Sequence, residues 1–406
     1  MTDKIISDYA GEMISKPIPD NRGQRFYTRW PGHLMEKKVG DRFHVIFVAY
    51  YADPHILKKA LTLKKSGKIF VTLVAGCIRE DVRIEQYVDQ AYEYKDFKEF
   101  YELCKVSSPF SWHAATPYYH SAIILYAGCD ESRLVTDVVD AALFFYREKN
   151  NDMVDLESSI MKHSHAVVHK MPDEAWIILE TEYDLKKKNL KYYAYPAPEF
   201  TFKSRQSVHP KTSPPRLVYA GGIIPYEIAV SRGHENHIFD DLIAMTGADT
   251  FDLTIYVNQN ARDMPWHQHR HYYDLEKKYP FFHFKKGLPY HQIAQELSEY
   301  SAGIFYDNIK HSSYNPDHFR YNIATKLFTY IEAGLPIIMY EESECMADMV
   351  RENSIGEIYS INNEKTIIDA ARRICDHSCS DNVDAFLKTY SADSYQEDLL
   401  RMYGII

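Results

Sequence analysis

The stretch FHVIFVAYYADPHILKKALTLKKSGKIFVTLVAG, residues 43–76, predicts the fold class of the protein. It opens with an apolar run typical of a buried strand, and Asp53 and Pro54 then supply an N-cap and a first-turn proline for a helix. Gly67 ends that helix, and a second apolar strand follows from residue 68. A strand, a helix and a second strand within about 34 residues is the spacing of a right-handed parallel crossover, so the stretch indicates an α/β fold with a parallel sheet.

The same alternation continues along the rest of the chain. Apolar periodicity predicts further strands at 133–139, 166–170, 216–222, 251–258, 281–284 and 302–308, and helices at 95–106, 173–183, 234–247 and 290–301. The proline-dense segment SVHPKTSPP, residues 207–215, interrupts the pattern, because proline lacks a backbone donor and favours extended chain. We therefore place a domain boundary there and predict two α/β domains in a chain of 406 residues.

Composition limits the classes of protein that the chain can represent. A hydrophobic fraction of 45% and a charged fraction of 26% are ordinary for a globular protein, and a net charge of −10 argues against one that coats nucleic acid. Six cysteines are scattered through a sequence with no secretory signal, and no run approaches about 18 apolar residues. We therefore expect a cytoplasmic protein with reduced thiols and no nucleic-acid partner.

The stretch YNIATKLFTYIEAGLPIIMYEE, residues 321–342, predicts an anion site. Asn322 is a candidate N-cap for a helix with apolar residues at helical spacing, and Gly334 and Pro336 end that helix before a short buried strand. The N–H groups of a helix's first turn and its dipole attract an anion, and Lys326 adds a full positive charge there. The competing interpretation is an ordinary helix of the kind that any α/β protein contains.

Residues 325–360, TKLFTYIEAGLPIIMYEESECMADMVRENSIGEIYS, resemble the donor-binding motif of GT-B-fold glycosyltransferases, and of family 4 in particular. RLVYAGG at 216–222 is similar to the first strand of that family's nucleotide domain, and YPFFHFKKGLPYHQIAQELSEYSAGIFYD at 279–307 to its base-side strand, loop and helix. SWHAATPYYHSAIILYAGC at 111–129 and SRLVTDVVDA at 132–141 resemble its acceptor domain. The resemblance therefore extends to both halves of the chain.

The resemblance implies the GT-B fold, an α/β architecture of two Rossmann-like domains whose parallel sheets face a central cleft. The predicted organisation is an N-terminal extension of uncertain structure at 1–42, an acceptor-side domain at 43–206, a linker at 207–215, a nucleotide-sugar-binding domain at 216–385 and a C-terminal helix at 386–406 that packs back on the first domain. Open parallel sheets bind ligands at the carboxyl ends of their strands, so we expect the site in the cleft.

The resemblance also implies which residues bind the nucleotide-sugar donor. They are Gly221, Gly222, Lys286, Asn322, Lys326 and Thr329. Lys326 and the helix dipole would neutralise the diphosphate, with help from Lys285, Lys286 or Arg232. Thr329 stands where the family carries a glutamate that binds the ribose hydroxyls, and the family's Arg and Lys after the glycine are missing from GGIIPYEIAV. The ribose and phosphate contacts of this chain therefore depart from the family pattern.

Glycosyl transfer also needs a group that accepts the proton of the acceptor hydroxyl. His113 ends a predicted strand in SWHAATP, and the ordinary pKa of histidine, about 6.5, suits proton transfer at neutral pH. Asp137 and Asp140 end another predicted strand; either could be the base of an inverting reaction, and we prefer Asp137. A structural histidine and a capping or solvated carboxylate are the competing interpretations.

Two polar segments bear on metals and membranes. His267 and His271 in HQHRH share a helical face, but no cysteine or carboxylate has the spacing to complete a metal site, so we predict none. The basic helix that begins at Pro54 and the run KKKNLK at 186–191 would suit anionic lipid if the acceptor is lipid-linked. The lysines of that helix are Lys58, Lys59, Lys64 and Lys65. A solvated face is the competing interpretation.

These observations and the resemblance together predict a cytoplasmic GT-B glycosyltransferase that moves a hexosyl or related group from a nucleotide-sugar donor to a carbohydrate or glycolipid acceptor. The resemblance alone implies a role in bacterial surface-glycan biosynthesis. Peripheral membrane contact stays open, and no cofactor beyond the donor substrate is expected. A nucleotide-sugar epimerase of the same fold and a non-catalytic, degenerate nucleotide-sugar-binding or scaffold protein are the alternative hypotheses.

Overall fold

The structure is a computed structural model. It describes residues 3–16, 27–79, 82–146, 151–202, 214–232, 238–257, 266–307, 309, 312, 314–363, 365–376 and 379–406. The chain forms two compact units, Met1–Tyr195 with Ala392–Ile406 and Pro196–Ser391. This division falls ahead of the linker predicted at 207–215, of which residues 207–213 lie outside the described residues. The predicted α/β class is confirmed, because each unit is built on a sheet of parallel strands.

The described part of the first unit contains an eight-stranded sheet. Its strands are β1 (Lys38–Val39), β2 (Arg42–Tyr51), β3 (Ile69–Cys77), β4 (Gln90–Glu93), β5 (Ser111–Ala115), β6 (Leu134–Val138), β7 (Ala166–His169) and β8 (Lys188–Lys191). The order is β4-β3-β2-β5-β6-β7-β8, all neighbours are parallel, and β1 lies antiparallel to β2. The order reverses between β2 and β5, which is the switch point of a doubly wound sheet.

Helices connect these strands. They are α1 (Lys4–Ser15), α2 (Pro54–Lys65), α3 (Phe97–Val106), α4 (Tyr119–Tyr126), α5 (Ala142–Phe145), α6 (Asp152–His163) and α7 (Asp173–Tyr183). The α2 helix begins as the sequence predicts, since the Asp53 carboxylate accepts the Ile56 N–H at 3.1 Å. The sequence indicates no definite structure for 1–42, whereas the structure has α1 there. That helix buries Ile6 and Ala10 and packs against α4.

The described part of the second unit contains a six-stranded sheet in which all neighbours are parallel. Its strands are β9 (Arg216–Gly221), β10 (Asp252–Val257), β11 (Phe282–Lys286), β12 (Ala302–Ile304), β13 (Ile337–Tyr340) and β14 (Gly356–Tyr359). The order β11-β10-β9-β12-β13-β14 is again doubly wound. Its switch point lies between β9 and β12.

The second unit also contains a run of helices. They are α8 (Tyr226–Arg232), α9 (Asp240–Ala244), α10 (Arg270–Lys278), α11 (Tyr290–Leu297), α12 (Pro316–Tyr321), α13 (Thr325–Glu332), α14 (Glu344–Glu352), α15 (Lys365–Asp376) and α16 (Ser380–Thr389). The end of α13 is the one the sequence predicts. Gly334 has a φ of 75°, the left-handed conformation that favours glycine, and its N–H bonds to the Ile331 carbonyl at 2.9 Å.

The residues after Ser391 belong to the first unit. Their helix, α17 (Gln396–Met402), packs against α2 and β8. Gln396 Nε2 donates to the Thr62 carbonyl at 2.8 Å, and Lys188 Nζ donates to the Met402 carbonyl at 3.3 Å. The structure thus places a C-terminal helix on the first unit, within the range 386–406 for which the sequence predicts one.

Candidate donor site and a buried charge network

The switch point of the second sheet is where an open parallel sheet binds its ligands. Gly221 ends β9 on one side of this point, and Phe305 follows β12 on the other. Both strands are short and apolar inside the sheet, so the polar chemistry lies just beyond their carboxyl ends. The α13 helix carries the remaining groups of the candidate site, and two of its side chains contact residues of β9.

The first turn of α13 has a different cap from the predicted one. Asn322 is the C-cap of α12, and Ala324 occupies the N-cap position of α13 with extended backbone angles. Two residues, Ile323 and Ala324, separate Asn322 from the helix, so the prediction that Asn322 caps it is wrong. Among the described residues no side chain caps this helix, and an anion is the kind of ligand that satisfies such N–H groups.

Lys326 lies in that first turn and contacts two aromatic side chains. Its Nζ donates to the Tyr219 hydroxyl at 3.1 Å and lies 4.3 Å from the centroid of the Tyr219 ring and 4.8 Å from that of Phe305. The Tyr219 hydroxyl in turn donates to the Gly222 carbonyl at 3.2 Å. A continuous chain of hydrogen bonds therefore joins Lys326 to the glycine turn after β9.

Tyr330 fixes α13 against the strand ends. It follows Lys326 by one helical turn, so the two side chains share a face of the helix. Its hydroxyl accepts the Ala220 N–H at 2.9 Å and donates to the Ile304 carbonyl at 3.2 Å, which ties the helix to both strands at the switch point. A Cβ at Gly303 would lie 2.4 Å from the Tyr330 ring, so only glycine leaves room for it.

Burial keeps both tyrosine hydroxyls of this site protonated. It raises the pKa of Tyr219, and the Asp307 carboxylate raises that pKa further. Burial also raises the pKa of Tyr330, against an opposing effect of the Lys326 ammonium. Each hydroxyl therefore stays a neutral donor and acceptor, and neither becomes a phenolate that would neutralise the lysine.

The structure brings some of the predicted donor residues together and separates others. Gly221, Gly222, Lys326 and Thr329 lie on β9, its following turn and α13. Lys286 ends β11 and is exposed. In the sheet, Lys286 on β11 pairs with Val257 on β10, and Val257 pairs with Gly221 on β9. Lys286 and Gly221 are therefore two strand spacings apart, about 10 Å. Lys285 Nζ donates to the Tyr256 hydroxyl at 3.1 Å. The side chain of Arg232, another predicted helper, lies outside the described residues.

His113 and Asp137, the predicted catalytic pair, are neighbours in the first sheet. His113 lies on β5 and Asp137 on β6, and both side chains are 0% exposed. His113 Nε2 is 3.0 Å from Asp137 Oδ2, and His113 Nδ1 is 2.5 Å from the Tyr403 hydroxyl. Both ring nitrogens of the histidine are therefore engaged inside the protein.

The same carboxylate binds a lysine and a second histidine, and we call these four residues and Tyr403 the buried charge network. Lys59 Nζ donates to Asp137 Oδ2 at 2.5 Å. His55 Nε2 lies 3.2 Å from Asp137 Oδ1 and 2.6 Å from Lys59 Nζ. A carboxylate with three such partners is the arrangement expected of a buried ion pair that has kept its hydrogen bonds.

The network shifts the pKa values of its members in ways that burial and charge explain. Burial acts to raise the pKa of Asp137, but Lys59, His55 and the hydrogen bond from His113 outweigh it and hold that pKa well below its usual range. Burial lowers the pKa of His113, and Asp137 opposes the shift only in part. Asp137 is therefore ionised. No acceptor hydroxyl reaches a pair enclosed in this way, so the geometry favours the structural interpretation of His113 and Asp137 over the catalytic one.

Two of the four α2 lysines predicted to face lipid are buried. Lys58 and Lys59 are 0% exposed, and Lys58 Nζ donates to the Ala194 carbonyl at 3.4 Å. Lys64 Nζ donates to the Val88 carbonyl at 2.8 Å, and Lys65 pairs with Asp393 at 2.7 Å. Lys65 is exposed and Lys64 is half-buried, so α2 presents a smaller basic face than the sequence predicts. The run at 186–191 contributes edge strand β8, and no helix in the described ranges is long and apolar enough to span a bilayer.

The HQHRH segment has its own partners. His271 Nε2 lies 2.9 Å from Asp240 Oδ1, and His269 is buried. The side chain of His267 lies outside the described residues. Within the part of the chain that the structure describes, no three histidine, cysteine or acidic side chains are grouped to bind a metal ion.

Comparison with known families gives a match in the C-terminal part of the chain. Residues 245–401 match the family model described as "Glucosyltransferase 3-like, C-terminal domain". No curated protein matches the sequence.

Solved structures match nearly the whole chain. Sucrose-phosphate synthase from Thermosynechococcus elongatus aligns with a TM-score of 0.62 at 10% identity, covering 89% of this chain and 98% of that one. HepE from Anabaena in complex with UDP aligns with a TM-score of 0.58 at 8% identity, covering 90% and 100%. WaaG, a glycosyltransferase involved in lipopolysaccharide biosynthesis, aligns with a TM-score of 0.52 at 12% identity, covering 89% and 97%.

These matches define a class. The chain has the GT-B glycosyltransferase fold, and the predicted fold is confirmed. The family match and the fold together support a glycosyltransferase. Membership of glycosyltransferase family 4 stays a prediction.

The sequence patterns above do not predict the aromatic residues of the candidate site. Tyr219, Phe305 and Tyr330 are three of 53 tyrosines and phenylalanines, counting 33 and 20, so composition alone does not single them out. Two signals were available. Tyr330 stands one helical turn after Lys326, and Tyr219 stands two residues before Gly221, on the same side of its strand.

Proposed function

We propose that this protein transfers a sugar from a nucleotide-sugar donor to a carbohydrate or glycolipid acceptor. The observation that carries the proposal is the position of Lys326 Nζ, 3.1 Å from the Tyr219 hydroxyl at the switch point of the second sheet. A lysine in the first turn of an uncapped helix, beside a glycine turn, suits a diphosphate. HepE was solved with UDP, so UDP is the first nucleotide to test.

The chemistry that these residues support is stabilisation of the leaving group. When the bond from the sugar to the diphosphate breaks, negative charge grows on the phosphate oxygens. The Lys326 ammonium and the N–H groups at the start of α13 are fixed positive charges and dipoles beside that position. The proposed reaction uses the nucleotide sugar as a substrate and requires no further cofactor from these residues.

The proposal also includes the class of acceptor. WaaG acts in lipopolysaccharide biosynthesis, and by analogy of fold we propose a surface glycan or its lipid-linked precursor as the acceptor, in a bacterial setting. Membrane contact through the α2 lysines is not part of the proposal, because Lys58 and Lys59 are buried. His113 and Asp137 are likewise left out of the proposed catalytic groups.

Calorimetric titration of the full chain tests the donor site. UDP, GDP, ADP, CMP and dTDP are compared, and we expect one of them to bind. Lys326→Ala should weaken its binding about 10- to 100-fold, because one charge-assisted hydrogen bond to phosphate contributes roughly 1.5–3 kcal/mol. Lys277→Ala, on the exposed face of α10, is the matched control and should bind as the wild type does. Undiminished binding by Lys326→Ala would contradict the proposal.

A second candidate is a nucleotide-sugar-binding protein without catalytic activity. Two observations favour it: Thr329 offers one oxygen where the family has a carboxylate, and the buried charge network encloses His113 and Asp137. Product analysis decides between the candidates. The sugar of the preferred nucleotide is incubated with the protein, with and without glycan acceptors. A glycosylated acceptor indicates transfer, an isomerised donor indicates epimerisation, and an unchanged donor that still binds indicates the non-catalytic protein.

A further inference from the structure

We propose that Tyr219 is a positioning residue of the donor site, whose hydroxyl and ring orient the Lys326 ammonium toward the diphosphate. This inference rests on the proposed function, since it specifies how that same site is organised. Tyr219 itself need not touch the nucleotide. Its action is exerted through Lys326 and through the Gly222 carbonyl, both of which its hydroxyl contacts.

The Lys326 side chain would be flexible without its aromatic contacts. A lysine side chain carries a point charge on a four-carbon stem and loses rotamer freedom when a ligand fixes it. Lys326 is already restrained, because its Nζ lies over the rings of Tyr219 and Phe305 at 4.3 and 4.8 Å and is bonded to a hydroxyl. A restrained ammonium binds phosphate with less loss of entropy than a free one.

The hydrogen bonds of the Tyr219 hydroxyl have a fixed direction. Ammonium is only a donor, so the Tyr219 hydroxyl must accept from Lys326 and give its own proton to the Gly222 carbonyl. That carbonyl thus fixes the rotation of the hydroxyl. The ammonium has three N–H groups and uses one of them on Tyr219, which leaves two for phosphate oxygens.

The two rings beside Lys326 have different roles. Tyr219 and Phe305 both offer an aromatic face to the ammonium, which attracts the charge without fixing its N–H directions. Only Tyr219 adds a hydrogen bond. The hydroxyl is therefore the group that converts a local attraction into a defined orientation, and its removal alone should be measurable.

The competing role for Tyr219 is that of a core aromatic. It is 2% exposed, and its ring packs against that of Phe239 with centroids 4.7 Å apart. A purely structural tyrosine would change the stability of the protein but would not change the preference for a diphosphate over the bare nucleoside. That preference is the readout that separates the two roles.

The experiment uses the full chain and Tyr219→Phe, which keeps the ring and removes the hydroxyl. Dissociation constants are measured for the preferred nucleoside diphosphate, its monophosphate and its nucleoside. We expect the diphosphate to bind about 3- to 10-fold more weakly while nucleoside affinity stays unchanged, because the lost hydroxyl orients the ammonium without itself contacting phosphate, and its removal therefore costs less than removal of the ammonium. Tyr183→Phe removes a buried hydroxyl bonded to Glu157 in the first unit and serves as the matched control.

The outcomes distinguish this inference from the proposed function. If Lys326→Ala loses diphosphate binding but Tyr219→Phe retains it, the inference is wrong and the proposed function stands. If neither variant changes the binding, both are wrong. A parallel loss of diphosphate and nucleoside affinity in Tyr219→Phe would assign Tyr219 to the core and also overturn the inference.

A second variant keeps the test independent of how well Tyr219→Phe folds. Lys326→Arg retains the charge, but a planar guanidinium does not reproduce the ammonium's position over the ring and its bond to the hydroxyl. If Tyr219 orients the charge, the arginine variant should bind the diphosphate at least 3-fold more weakly than the wild type. Wild-type affinity in Lys326→Arg would show that charge alone is sufficient and would contradict the inference.

Discussion

The two units share an order of strands but use their lysines in opposite ways. In the first unit Lys59 is 0% exposed and bonded to Asp137, a carboxylate that also contacts His55 and His113. In the second unit Lys326 is partly buried and contacts a hydroxyl and two rings. The charge of Lys59 is neutralised by a buried carboxylate, whereas the described contacts of Lys326 are a hydroxyl and two rings, which leave its charge in place.

This difference shows that fold and charge together do not identify a site. Both lysines belong to helices of doubly wound sheets, and Lys59 even has histidine and aspartate neighbours of the kind that catalysis uses. What separates them is the partner. A carboxylate partner neutralises the charge of the ammonium, whereas a hydroxyl and aromatic faces orient the ammonium without neutralising it.

The largest expected effect comes from breaking the pair in the first unit. Lys59→Met leaves the Asp137 carboxylate buried without its cation, and the free energy of unfolding should fall by about 3–5 kcal/mol. Urea denaturation of the full chain measures the loss. The double variant Lys59→Met with Asp137→Leu should recover much of it, because no uncompensated charge remains.

The matched variant in the second unit is Lys326→Met. This substitution removes a partly buried ammonium whose described contacts are a hydroxyl and aromatic rings, so it leaves no carboxylate among those contacts without its cation. The free energy of unfolding should therefore fall by no more than about 1 kcal/mol. Equal losses of unfolding free energy in Lys59→Met and Lys326→Met would contradict the proposed difference between the two lysines.

An intermediate effect is expected from the anchor of α13. Tyr330→Phe removes the hydroxyl that the Ala220 N–H donates to, and that half-buried N–H then lacks its partner. The free energy of unfolding should fall by about 1–3 kcal/mol. Tyr126→Phe, whose side chain is 41% exposed, is the control and should change it little. A loss in Tyr330→Phe no larger than the control's would mean that the anchor contributes nothing.

A change in acid sensitivity is expected from a buried histidine of the first unit. Burial lowers the pKa of His120, in the first unit, to about 3. Between that value and about 6.5 the unfolded chain binds a proton that the folded chain does not, so stability falls as the pH falls. His120→Gln should reduce the slope of unfolding free energy against pH by at most about 1.4 kcal/mol per pH unit.

Unfolding curves at pH 7, 6 and 5 measure that slope. His291→Gln, an exposed position on α11, is the control for substituting a histidine. An unchanged slope in His120→Gln would mean that His120 titrates alike in both states. A slope altered equally by the two variants would assign the acid sensitivity to the second unit as much as to the first.

The sequence predicts the elements of the fold well and its long-range pairings poorly. The strand predicted at the start of the 43–76 stretch is Arg42–Tyr51, because its apolar run is a local signal. The helix predicted at 173–183 is Asp173–Tyr183, and it has acidic residues in its first turn. Strand β8 is missed, since its lysine-rich sequence suits a sheet edge but has no apolar alternation.

In the candidate site, too, local features are predicted from the sequence and long-range contacts are not. Lys326 is predicted because the helix, glycine and proline around it are local signals. Its contact with Tyr219 spans 107 residues of sequence, and the contact of Lys59 with Asp137 spans 78. Neither has a local pattern, so the sequence presents Lys59 as a surface charge and Asp137 as a catalytic candidate. Asn322 is misassigned for a simpler reason, because a short helix ends there before α13 begins.

The return of residues 392–406 to the first unit has a consequence for synthesis. Tyr403 completes the hydrogen bonds of His113, and Gln396 bonds to the α2 helix. These residues leave the ribosome only after the whole of the second unit has been translated. The first unit therefore finishes folding last, although N-terminal domains ordinarily fold first during translation. Until residue 403 has been synthesised, His113 in the buried charge network lacks its hydrogen bond to Tyr403.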